Sequence, residues 1–395
     1  MRTVEEHQQV VAGLISARPA VAVPLADALG LALAEDVVAP LSLPGFDNSA
    51  MDGYAVLATD VATASAEKPV KLPVAEDIPA GRTDLLTLAP GTAHRIMTGA
   101  MLPAGATAVV QVEATDGATD VVSIYSAVPE GRSIRRAGED VTAGMTVLPA
   151  GEVLSPAALG LAAALGLAEL KVIPRQRVLV LSTGTELVTP GTPLQPGQIY
   201  ESNAVMLAAA LRDAGAGVTT APATSDDVAL FRETLAGHAR DVDLIVTTGG
   251  VSAGAYEVVK DALSGDVEFV KVAMQPGMPQ GAGTVNGTPI VTLPGNPVSA
   301  LVSFEVFIRP PLRAAMGLPS QRPRRSATLI EKLTSPAGKR QFRRGVLGTD
   351  AQVSSYGPPA SHHLRWLATA NCLLDIGEDV IELAAGSPVP VWDLS

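Results

Sequence analysis

Cysteine, aromatic side chains and positive charge are all scarce in this chain. The single cysteine, Cys372, excludes a disulfide framework and a cysteine-based metal site, and we expect it to pack as a small apolar residue. Aromatic residues make up only 3% of the sequence, which leaves few rings on which bases could stack. The net charge of −12 argues against nucleic acid and anionic membranes as partners, although backbone N–H groups can still hold a phosphate-bearing ligand.

Long hydrophobic runs are also missing. The first residues, MRTVEEHQQV, contain no apolar core of a signal peptide. The most apolar stretch, residues 153–170, is interrupted by Pro156, Gly160 and Gly166 and is too short for a membrane span. Hydrophobic residues nevertheless form 47% of the 395 residues, enough for several buried cores. The sequence therefore predicts a globular, cytoplasmic protein of several domains.

The N-terminal part predicts helices on both sides of a β-rich region. Apolar residues at helical spacing cover residues 3–36, and Pro40 and Pro44 follow. Short Val-rich segments separated by Gly and Pro then indicate strands up to about residue 148. Ser155 and Pro156 have the residue types of an N-cap and a first helical position, for a helix reaching about Glu169. We expect residues 1–44 and 149–174 to form a helical and extended linking domain, and residues 45–148 a mainly β domain.

The second half alternates strands with helices. RVLVLS, DLIVTT and PIVTLPG have the pattern of buried strands, and SNAVMLAAALRDAG, with Ser202 as candidate N-cap, that of a helix. SDDVALFRETLAGHA and NPVSALVSFEVFIRPPL indicate further helices. This alternation predicts a parallel, three-layer α/β domain over residues 175–322. Short strands and turns predict a small β domain over residues 323–395.

Three loops rich in glycine and small hydroxyl residues directly follow predicted strands. They are STGTE at 182–186, TTGGVSAG at 247–254 and LPGNPVS at 293–299. The carboxyl ends of parallel strands meet at one sheet edge, where ligands bind, and glycine lets N–H groups approach a phosphate closely. One such loop is more often a plain turn, but three at one edge favour a phosphate site. No Walker A loop or G-x-G-x-x-G motif is present, which argues against a standard nucleotide site.

Acidic residues lie close to these loops in the sequence. Glu186 is in the first loop, Asp226 and Asp227 begin a predicted helix, and Glu257 follows the second loop. Taken singly, each acid also fits a plain role at a turn or helix terminus. Acids beside a phosphate would repel it unless a cation lay between them, and hard oxygen ligands suit Mg²⁺ shared with substrate phosphates.

Two basic clusters are candidates for anchoring an anion. They lie in GRSIRRAGED and GKRQFRRG and comprise Arg132, Arg135, Arg136, Lys339, Arg340, Arg343 and Arg344. Arginine forks match phosphates and other oxyanions, while the alternative for both clusters is a solvated basic surface. The five histidines show no spacing typical of a metal site.

Six motifs in a fixed order resemble one family. PGFDNSAMDGYAV, HRIMTGAMLP, RRAGEDV, VLSTGTEL, TTGGVSAG and TLPGNPVSA are similar to the corresponding segments of the molybdopterin molybdenumtransferases, which include MoeA and the E domain of gephyrin. The resemblance runs nearly end to end. It implies a multidomain α/β fold in four parts: a linking domain, a mainly β domain, an α/β molybdopterin-binding domain and a small barrel-like C-terminal β domain. It also implies a homodimer whose active site is formed by both subunits.

The resemblance further implies a reaction and a set of residues. The family takes adenylylated molybdopterin and molybdate, cleaves the pyrophosphate bond, inserts molybdenum at the dithiolene and releases AMP, with Mg²⁺ bound. The implied catalytic residues are Asp52, Thr98, Glu186 and Asp140, and the implied metal ligands are Asp52, Glu186, Asp226 and Glu257. The implied substrate-binding residues are Arg135, Thr183, Gly184, Gly249, Gly250, Ser252, Lys271, Pro294, Gly295, Asn296, Pro297, Ser299, Arg344 and Ser361. Molybdopterin adenylyltransferase and molybdoenzyme maturation proteins are the implied protein partners.

The chain departs from the family pattern at two places. Many relatives carry an acid followed by tyrosine after GGVS-x-G, whereas this chain has Tyr256 followed by Glu257. In the K-x-x-x-K-P-G-K-P stretch, Lys271 remains, but Gln275 and Met278 replace two lysines. Compensation by Arg340 or Arg344, weaker oxyanion binding and a paralogue with a shifted role are all compatible with this change.

Two other functions stay open at this point. The α/β domain also resembles molybdopterin adenylyltransferase, but the additional N-terminal residues and the FDNSAMDGYA motif favour the molybdenumtransferase. A molybdopterin-binding carrier or scaffold without transferase activity is the second alternative. Molybdate-dependent release of AMP would distinguish a molybdenumtransferase from an adenylyltransferase and from a carrier or scaffold.

Overall fold

The computed structural model describes residues 1–222, 227–250 and 258–395. Within this part of the chain eight α-helices are described. They are α1 Val4–Leu14, α2 Pro156–Ala164, α3 Asn203–Asp213, α4 Val228–His238, α5 Val258–Ala262, α6 Pro297–Ser303, α7 Arg309–Ala314 and α8 Leu364–Ala368. A π-helical turn, Phe304–Ile308, joins α6 to α7. Among the described residues, no helix combines enough length and apolar character to cross a membrane.

Strands account for most of the remaining regular structure. The first twelve are β1 Val21–Pro24, β2 Ala32–Leu33, β3 Val37–Val38, β4 Asn48–Ser49, β5 Gly53–Val56, β6 Val70–Ile78, β7 Ala93–Ile96, β8 Ala108–Gln111, β9 Val121–Ile124, β10 Ile134–Arg135, β11 Thr146–Leu148 and β12 Glu169–Ile173. The next nine are β13 Arg177–Ser182, β14 Leu187–Val188, β15 Ile199–Tyr200, β16 Gly217–Thr220, β17 Leu244–Thr248, β18 Val267–Lys271, β19 Met274–Gln275, β20 Pro279–Val285 and β21 Thr288–Leu293. The last seven are β22 Arg324–Leu329, β23 Leu333–Thr334, β24 Arg340–Leu347, β25 Gln352–Ser355, β26 Cys372–Ile376, β27 Glu382–Leu383 and β28 Pro388–Asp393.

The chain divides into two compact units. Unit 1 comprises Met1–Val23, Ala28–Ala34 and Lys171–Ser395, and unit 2 comprises Pro24–Asp27 and Glu35–Leu170. The multidomain α/β fold class predicted from the sequence is confirmed by this architecture and by the sheets described below. The finer division into four domains, with its predicted boundaries, stays a prediction.

The central sheet of unit 1 has the strand order β16-β13-β17-β21-β20-β18. Strands β16, β13, β17 and β21 are parallel, so their carboxyl ends share one edge. The predicted parallel sheet is thus confirmed for four strands, whereas β20 and β18, at one side of it, are antiparallel. Strand β20 was not predicted, because its glycines are not typical of a strand. A Cβ on Gly281 would lie 2.2 Å from Thr292 Oγ1, so the tight packing of β20 against β21 requires glycine there.

The C-terminal region of unit 1 is a closed barrel. Each strand in the order β24, β25, β22, β28, β26 pairs with the next, and β26 pairs with β24 to close the barrel. Its interior packs Leu329, Val353, Leu374 and Val391, and it also buries Cys372, as predicted. Burial raises the pKa of the Cys372 thiol to about 12, which keeps it protonated and inert.

Unit 2 contains a five-stranded sheet of order β8-β5-β7-β6-β9. Its core includes Tyr54, Val110 and Ile124, all with no exposed surface. This agrees with the mainly β character predicted for this stretch. Near residue 156, Ser155 Oγ accepts a hydrogen bond from the backbone N–H of Ala158, which confirms the predicted N-cap, although α2 ends at Ala164 and not near Glu169.

The long N-terminal helix predicted over residues 3–36 was wrong beyond Leu14. Helix α1 begins with a reciprocal capping box between Thr3 and Glu6 and ends at Leu14. Two prolines, Pro19 and Pro24, interrupt any continuation, and Leu33 pairs with Val172 in a short sheet instead. The apolar residues that suggested a helix thus serve short strands.

Candidate functional site

A cavity of about 970 Å³ lies at the edge of the sheet in unit 1 where the parallel strands end. The last residues of three neighbouring strands, Ser182, Thr248 and Leu293, are partners in one row of the sheet. The three glycine-rich loops therefore begin side by side, as their sequences predicted. Of the predicted residues, the cavity is lined by Thr183, Glu186, Gly249, Gly250, Pro294, Gly295, Asn296, Pro297, Ser299 and Ser361.

Glycine allows the first two loops to approach each other closely. Gly249 has a φ of +95°, and a Cβ there would lie only 2.7 Å from the carbonyl oxygen of Thr183. The Thr183 N–H donates to the Thr248 carbonyl at 3.1 Å, which ties the two strand ends together. The backbone is thus preset around the cavity before any ligand arrives.

The N-terminal end of α3 supplies two lining residues, Glu201 just before the helix and Asn203 at its first position, that the sequence did not suggest. Ser202 is the N-cap residue of α3, as predicted, but its side chain makes no capping hydrogen bond. The buried carboxylate of Glu201 instead accepts the Ala204 N–H at 2.9 and 3.0 Å. Asn203 lines the cavity and donates to Thr248 Oγ1 and to the Gly295 carbonyl. A run of polar residues after a strand was the one available signal for them.

The predicted acids are only partly described. Glu186 lies exposed at the cavity, and the absence of a side chain at Gly184, which is not part of the lining, leaves room for its carboxylate. Asp226, Glu257 and Ser252 lie outside the described residues. Asp227, the neighbour of Asp226, caps α4 by accepting the N–H groups of Ala229 and Leu230.

The cavity has oxygen donors of the kind that Mg²⁺ prefers, although its described lining has few carboxylates. Within residues 1–222, 227–250 and 258–395, no group of three or more His, Cys, Asp or Glu side chains is close enough together to hold a metal. The polar lining nevertheless offers oxygen donors, namely the carboxylate of Glu186 and the hydroxyls of Thr183 and Thr248. Magnesium is commonly held by one or two carboxylates together with substrate phosphates and water. The cavity fits the ion in that way, with the ligand contributing oxygens.

Positive charge is sparse in the described lining. It contains no lysine or arginine, and His362 is the one basic side chain among the described residues that line the cavity. Lys271 is exposed at the end of β18 and is not among the lining residues. Gln275, one of the two lysine replacements, does line the cavity and accepts a hydrogen bond from Gln341 at 3.0 Å.

Neither arginine suggested as compensation reaches the lining. Arg340 pairs with Asp375 through two hydrogen bonds of 2.7 Å and also with Glu5. Arg344 is 3% exposed and donates to the backbone carbonyls of Ala360 and His363, and also to that of Pro358. Arg344 thus holds the loop that carries the lining residues Ser361 and His362, and the N–H of Val298 in α6 donates to the Ser361 carbonyl at 3.0 Å.

The GFDNSAMDGYA loop forms a second candidate site, within unit 2. Asp52 is exposed, and its Oδ1 accepts hydrogen bonds from the N–H and the hydroxyl of Thr98 at 2.7 and 2.8 Å. These bonds, the backbone one first, lower the pKa of Asp52 below its usual range, so it is ionised at neutral pH. A Cβ on Gly53 would lie 1.9 Å from the Val110 carbonyl, so glycine is required next to Asp52.

The RRAGED segment borders this loop. Asp47 accepts the Ala137 N–H at 2.8 Å and pairs with Arg136 at 2.6 Å, and both contacts lower the pKa of Asp47. Arg135 is exposed and pairs in register with Asn48 of the loop. Asp140, also exposed, donates its N–H to the Leu43 carbonyl just before the loop. The structure therefore gathers Asp52, Thr98, Arg135 and Asp140 in one region of unit 2.

Comparisons with known proteins agree along the whole chain. Three family profiles match in order: the MoeA N-terminal region (domain I and II) at residues 2–166, a probable molybdopterin binding domain at 179–314 and the MoeA C-terminal region (domain IV) at 326–394. Molybdopterin molybdenumtransferase 2 of Mycobacterium tuberculosis is 68% identical and is covered completely, as is this chain. Molybdopterin molybdenumtransferase 1 of the same organism is 39% identical over 99% of this chain and 98% of its own. The crystal structure of a molybdopterin biosynthesis MoeA protein from Pyrococcus horikoshii matches with a TM-score of 0.84 at 31% identity, covering 100% of this chain and 99% of the other.

Proposed function

The chain belongs to the MoeA family, and we propose that it inserts molybdenum into adenylylated molybdopterin with release of AMP, which completes the molybdenum cofactor. The observation that carries the proposal is the cavity formed by three loops at the ends of β13, β17 and β21. Most of its lining lies within the segment that matches the molybdopterin binding domain, and 68% identity to a named molybdenumtransferase supports the same reaction.

In this proposal the cavity binds and orients the phosphate-bearing ligand. The loops that follow Ser182, Thr248 and Leu293 start at fixed positions, because the sheet holds these three residues in register. Backbone N–H groups further along these loops would contact the ligand phosphates. Ser361 and His362 close another side, on the loop that Arg344 holds. Hydrogen-bond donors that folding has already oriented accelerate a reaction, because the protein then need not rearrange them as the transition state forms.

Mg²⁺ is proposed as the resident cofactor and molybdate as the co-substrate. Glu186, with Asp52, Asp226 and Glu257, forms the proposed ligand set, and the ion when bound would polarise a phosphoryl oxygen of the pyrophosphate bond. Asp52 is suited to this role because Thr98 keeps it ionised. Asp140 is proposed as a further catalytic residue and Arg135 as an anion contact, since both are exposed beside the same loop.

We further propose a cytoplasmic homodimer. Complementation tests whether two subunits share an active site. The Asp52→Ala and Glu186→Ala proteins, each expected to be inactive, would be mixed under conditions that exchange subunits. If the two residues serve one reaction from different chains, half of the dimers regain one intact site, and about a quarter of wild-type activity returns. A mixture as inactive as its components would contradict the shared site.

The experiment that tests the reaction itself is single-turnover AMP release. Purified protein would be mixed with adenylylated molybdopterin, with and without molybdate and Mg²⁺. AMP release that requires both is the expected result. Binding without AMP release would instead indicate a molybdopterin carrier, and consumption of ATP with molybdopterin an adenylyltransferase-like enzyme. Pull-downs with molybdopterin adenylyltransferase and molybdoenzyme maturation proteins test the proposed partners.

A further inference from the structure

Asn203 connects two of the ligand loops, although nothing about its own helix requires this. It is the first residue of α3, where the free N–H of Ala204 is already capped by Glu201. Its side-chain amide donates 2.7 Å to the Gly295 carbonyl and 3.1 Å to Thr248 Oγ1. Both partners lie on other segments, at the ends of β17 and β21. Local helix capping therefore does not explain this side chain.

The direction of every hydrogen bond in this group is fixed by its chemistry. The Gly295 carbonyl can only accept, so the Asn203 atom facing it must be the amide nitrogen. The Thr248 hydroxyl donates to the Pro294 carbonyl at 3.1 Å, so it accepts from the same Asn203 nitrogen. Among the residues that the structure describes, Asn203 Oδ1 has no hydrogen-bond partner, although it is buried.

An unpaired buried acceptor costs stability, so a residue chosen only for packing would not be expected to keep one. The two amide N–H bonds are the feature that asparagine supplies at this place. They hold together two loops whose backbones already touch, since a Cβ on Gly295 would lie 3.5 Å from the Gly249 Cα. A displacement of either loop would change the backbone donors that face the cavity.

Glu201 makes the equivalent connection to the third strand. Its Oε1 accepts a hydrogen bond from Ser182 Oγ, the last residue of β13, at 3.0 Å. Residues 201–203 therefore contact the ends of all three neighbouring strands that open into the cavity. We call this segment the 201–203 staple.

Resting on the proposed function, we propose that the 201–203 staple sets the spacing of the three ligand loops, and that Asn203 is the positioning residue that places the loops at Thr248 and Gly295 around a ligand phosphate. The phosphate belongs either to the nucleotide or to the pterin part of the ligand. Asn203 acts through the loops and takes no part in bond making or breaking.

Asn203→Asp keeps the shape of the side chain but turns the donating nitrogen into an acceptor. That acceptor faces the Gly295 carbonyl and pushes the loops apart. The substitution also adds a negative charge to the lining, so the uncharged Asn203→Ser separates loop position from charge repulsion. We expect the Kd of the ligand whose phosphate the loops hold, AMP or molybdopterin, to rise about tenfold, and kcat for AMP release to fall about thirtyfold. Asn203→Ser, which retains one donor, is expected to give an intermediate change in both, and it serves as the test if the aspartate variant does not fold.

Asn371→Ala is the matched control. Asn371, the residue before β26, also forms two side-chain hydrogen bonds with backbone from another strand. It accepts the Leu347 N–H at 2.7 Å and donates to the Leu347 carbonyl at 3.0 Å, away from the cavity lining. We expect this variant to lower Tm as much as Asn203→Ser while leaving Kd and kcat within about twofold. Equal effects of the two asparagines on Kd would show that Asn203 is only structural and would overturn the proposal.

Two further arms separate the possible failures. AMP carries the nucleotide phosphate, and molybdopterin carries no nucleotide. The Kd of each ligand therefore identifies the phosphate that the loops hold, because only the ligand with that phosphate should bind more weakly to Asn203→Asp. If wild-type protein releases no AMP, the proposed reaction fails, while the Kd measurements still decide the role of Asn203. If wild-type protein is active and Asn203→Asp equals it in Kd and kcat, the positioning role alone is refuted.

Discussion

The two candidate sites are built from opposite materials. The cavity of unit 1 is formed by strand ends, glycines and hydroxyls, with no lysine or arginine in its described lining. The loop of unit 2 is exposed and charged, with Asp52 held by Thr98 and Asp47 paired with Arg136. A sheet edge fixes backbone donors precisely in space, whereas an exposed loop keeps a carboxylate ionised and available. In the proposed reaction, different parts of the chain would thus supply shape for binding and charge for chemistry.

The largest expected effect comes from removing the charge in unit 2. Asp52→Ala should lower the rate of AMP release by about a thousandfold, because an ionised carboxylate placed by two hydrogen bonds would be lost. Single-turnover kinetics measure this, and binding of AMP should change little if the cavity alone provides affinity. Asp116→Ala is the control, since Asp116 is also exposed in unit 2 and accepts the N–H groups of Ala118 and Ser123. Equal activity of the Asp52 variant and wild type would remove Asp52 from the mechanism.

A second difference between the units concerns acid. His7 in α1 of unit 1 is fully buried against Phe307, and burial lowers its pKa to about 4. Because the unfolded state takes up its proton near pH 6.5, stability is complete above that pH and is lost as the pH falls towards 4. The loss amounts to about 3 kcal/mol.

Both tryptophans, Trp366 and Trp392, lie in unit 1, so their fluorescence follows unfolding of that unit. Urea midpoints should therefore fall between pH 7 and pH 4.5, and His7→Leu should flatten this dependence. Unit 2 also buries a histidine, His94, whose pKa burial lowers as well. A pH dependence that His7→Leu leaves unchanged would assign acid sensitivity to other groups.

The missing charge in the cavity can be restored. Gln275→Lys places an ammonium group in the lining and should tighten AMP binding about tenfold at low salt, with a smaller gain at high salt. Met278→Lys is the matched control, because Met278 is the other lysine replacement but is not among the lining residues. Isothermal titration of both variants separates local charge from net charge. Equal tightening by the two variants would mean that position within the cavity is irrelevant.

The smallest expected effect concerns His362. Its replacement by glutamine removes the one basic side chain from the described lining and should weaken AMP binding about threefold. His238→Gln, at the end of α4 and away from the lining, should leave binding unchanged. A fall in affinity with the second variant but not the first would contradict the role of His362.

The loops were predictable from the sequence, and their connections were not. Strand patterns and glycine positions predicted that Thr183, Gly249 and Pro294 would lie near one sheet edge, and all three line the cavity. The roles of Glu201 and Asn203 depend on Ser182 and Gly295, which are 19 and 92 residues away in sequence. A capping rule that considers only neighbouring residues therefore selected Ser202.

The errors in the fold have the same origin. The apolar stripe beyond Leu14 fits a helix locally, but Ala32 and Leu33 pair with a strand about 140 residues later, and tertiary pairing outweighs helical propensity. The glycines of β20 suggest a loop, although they allow this strand to pack tightly beside β21. The resemblance to a family supplied the candidate residues of unit 2, which periodicity alone does not identify.

The closed barrel affects the order in which the walls of the cavity form during folding. Its last strand, β28, pairs with both β22 and β26. Arg344, on β24 of this barrel, holds the loop that contributes Ser361 and His362 to the cavity. A nascent chain on the ribosome therefore has the sheet and its glycine loops well before it has the remaining wall. The cavity that binds the ligand is therefore complete only after the barrel has closed.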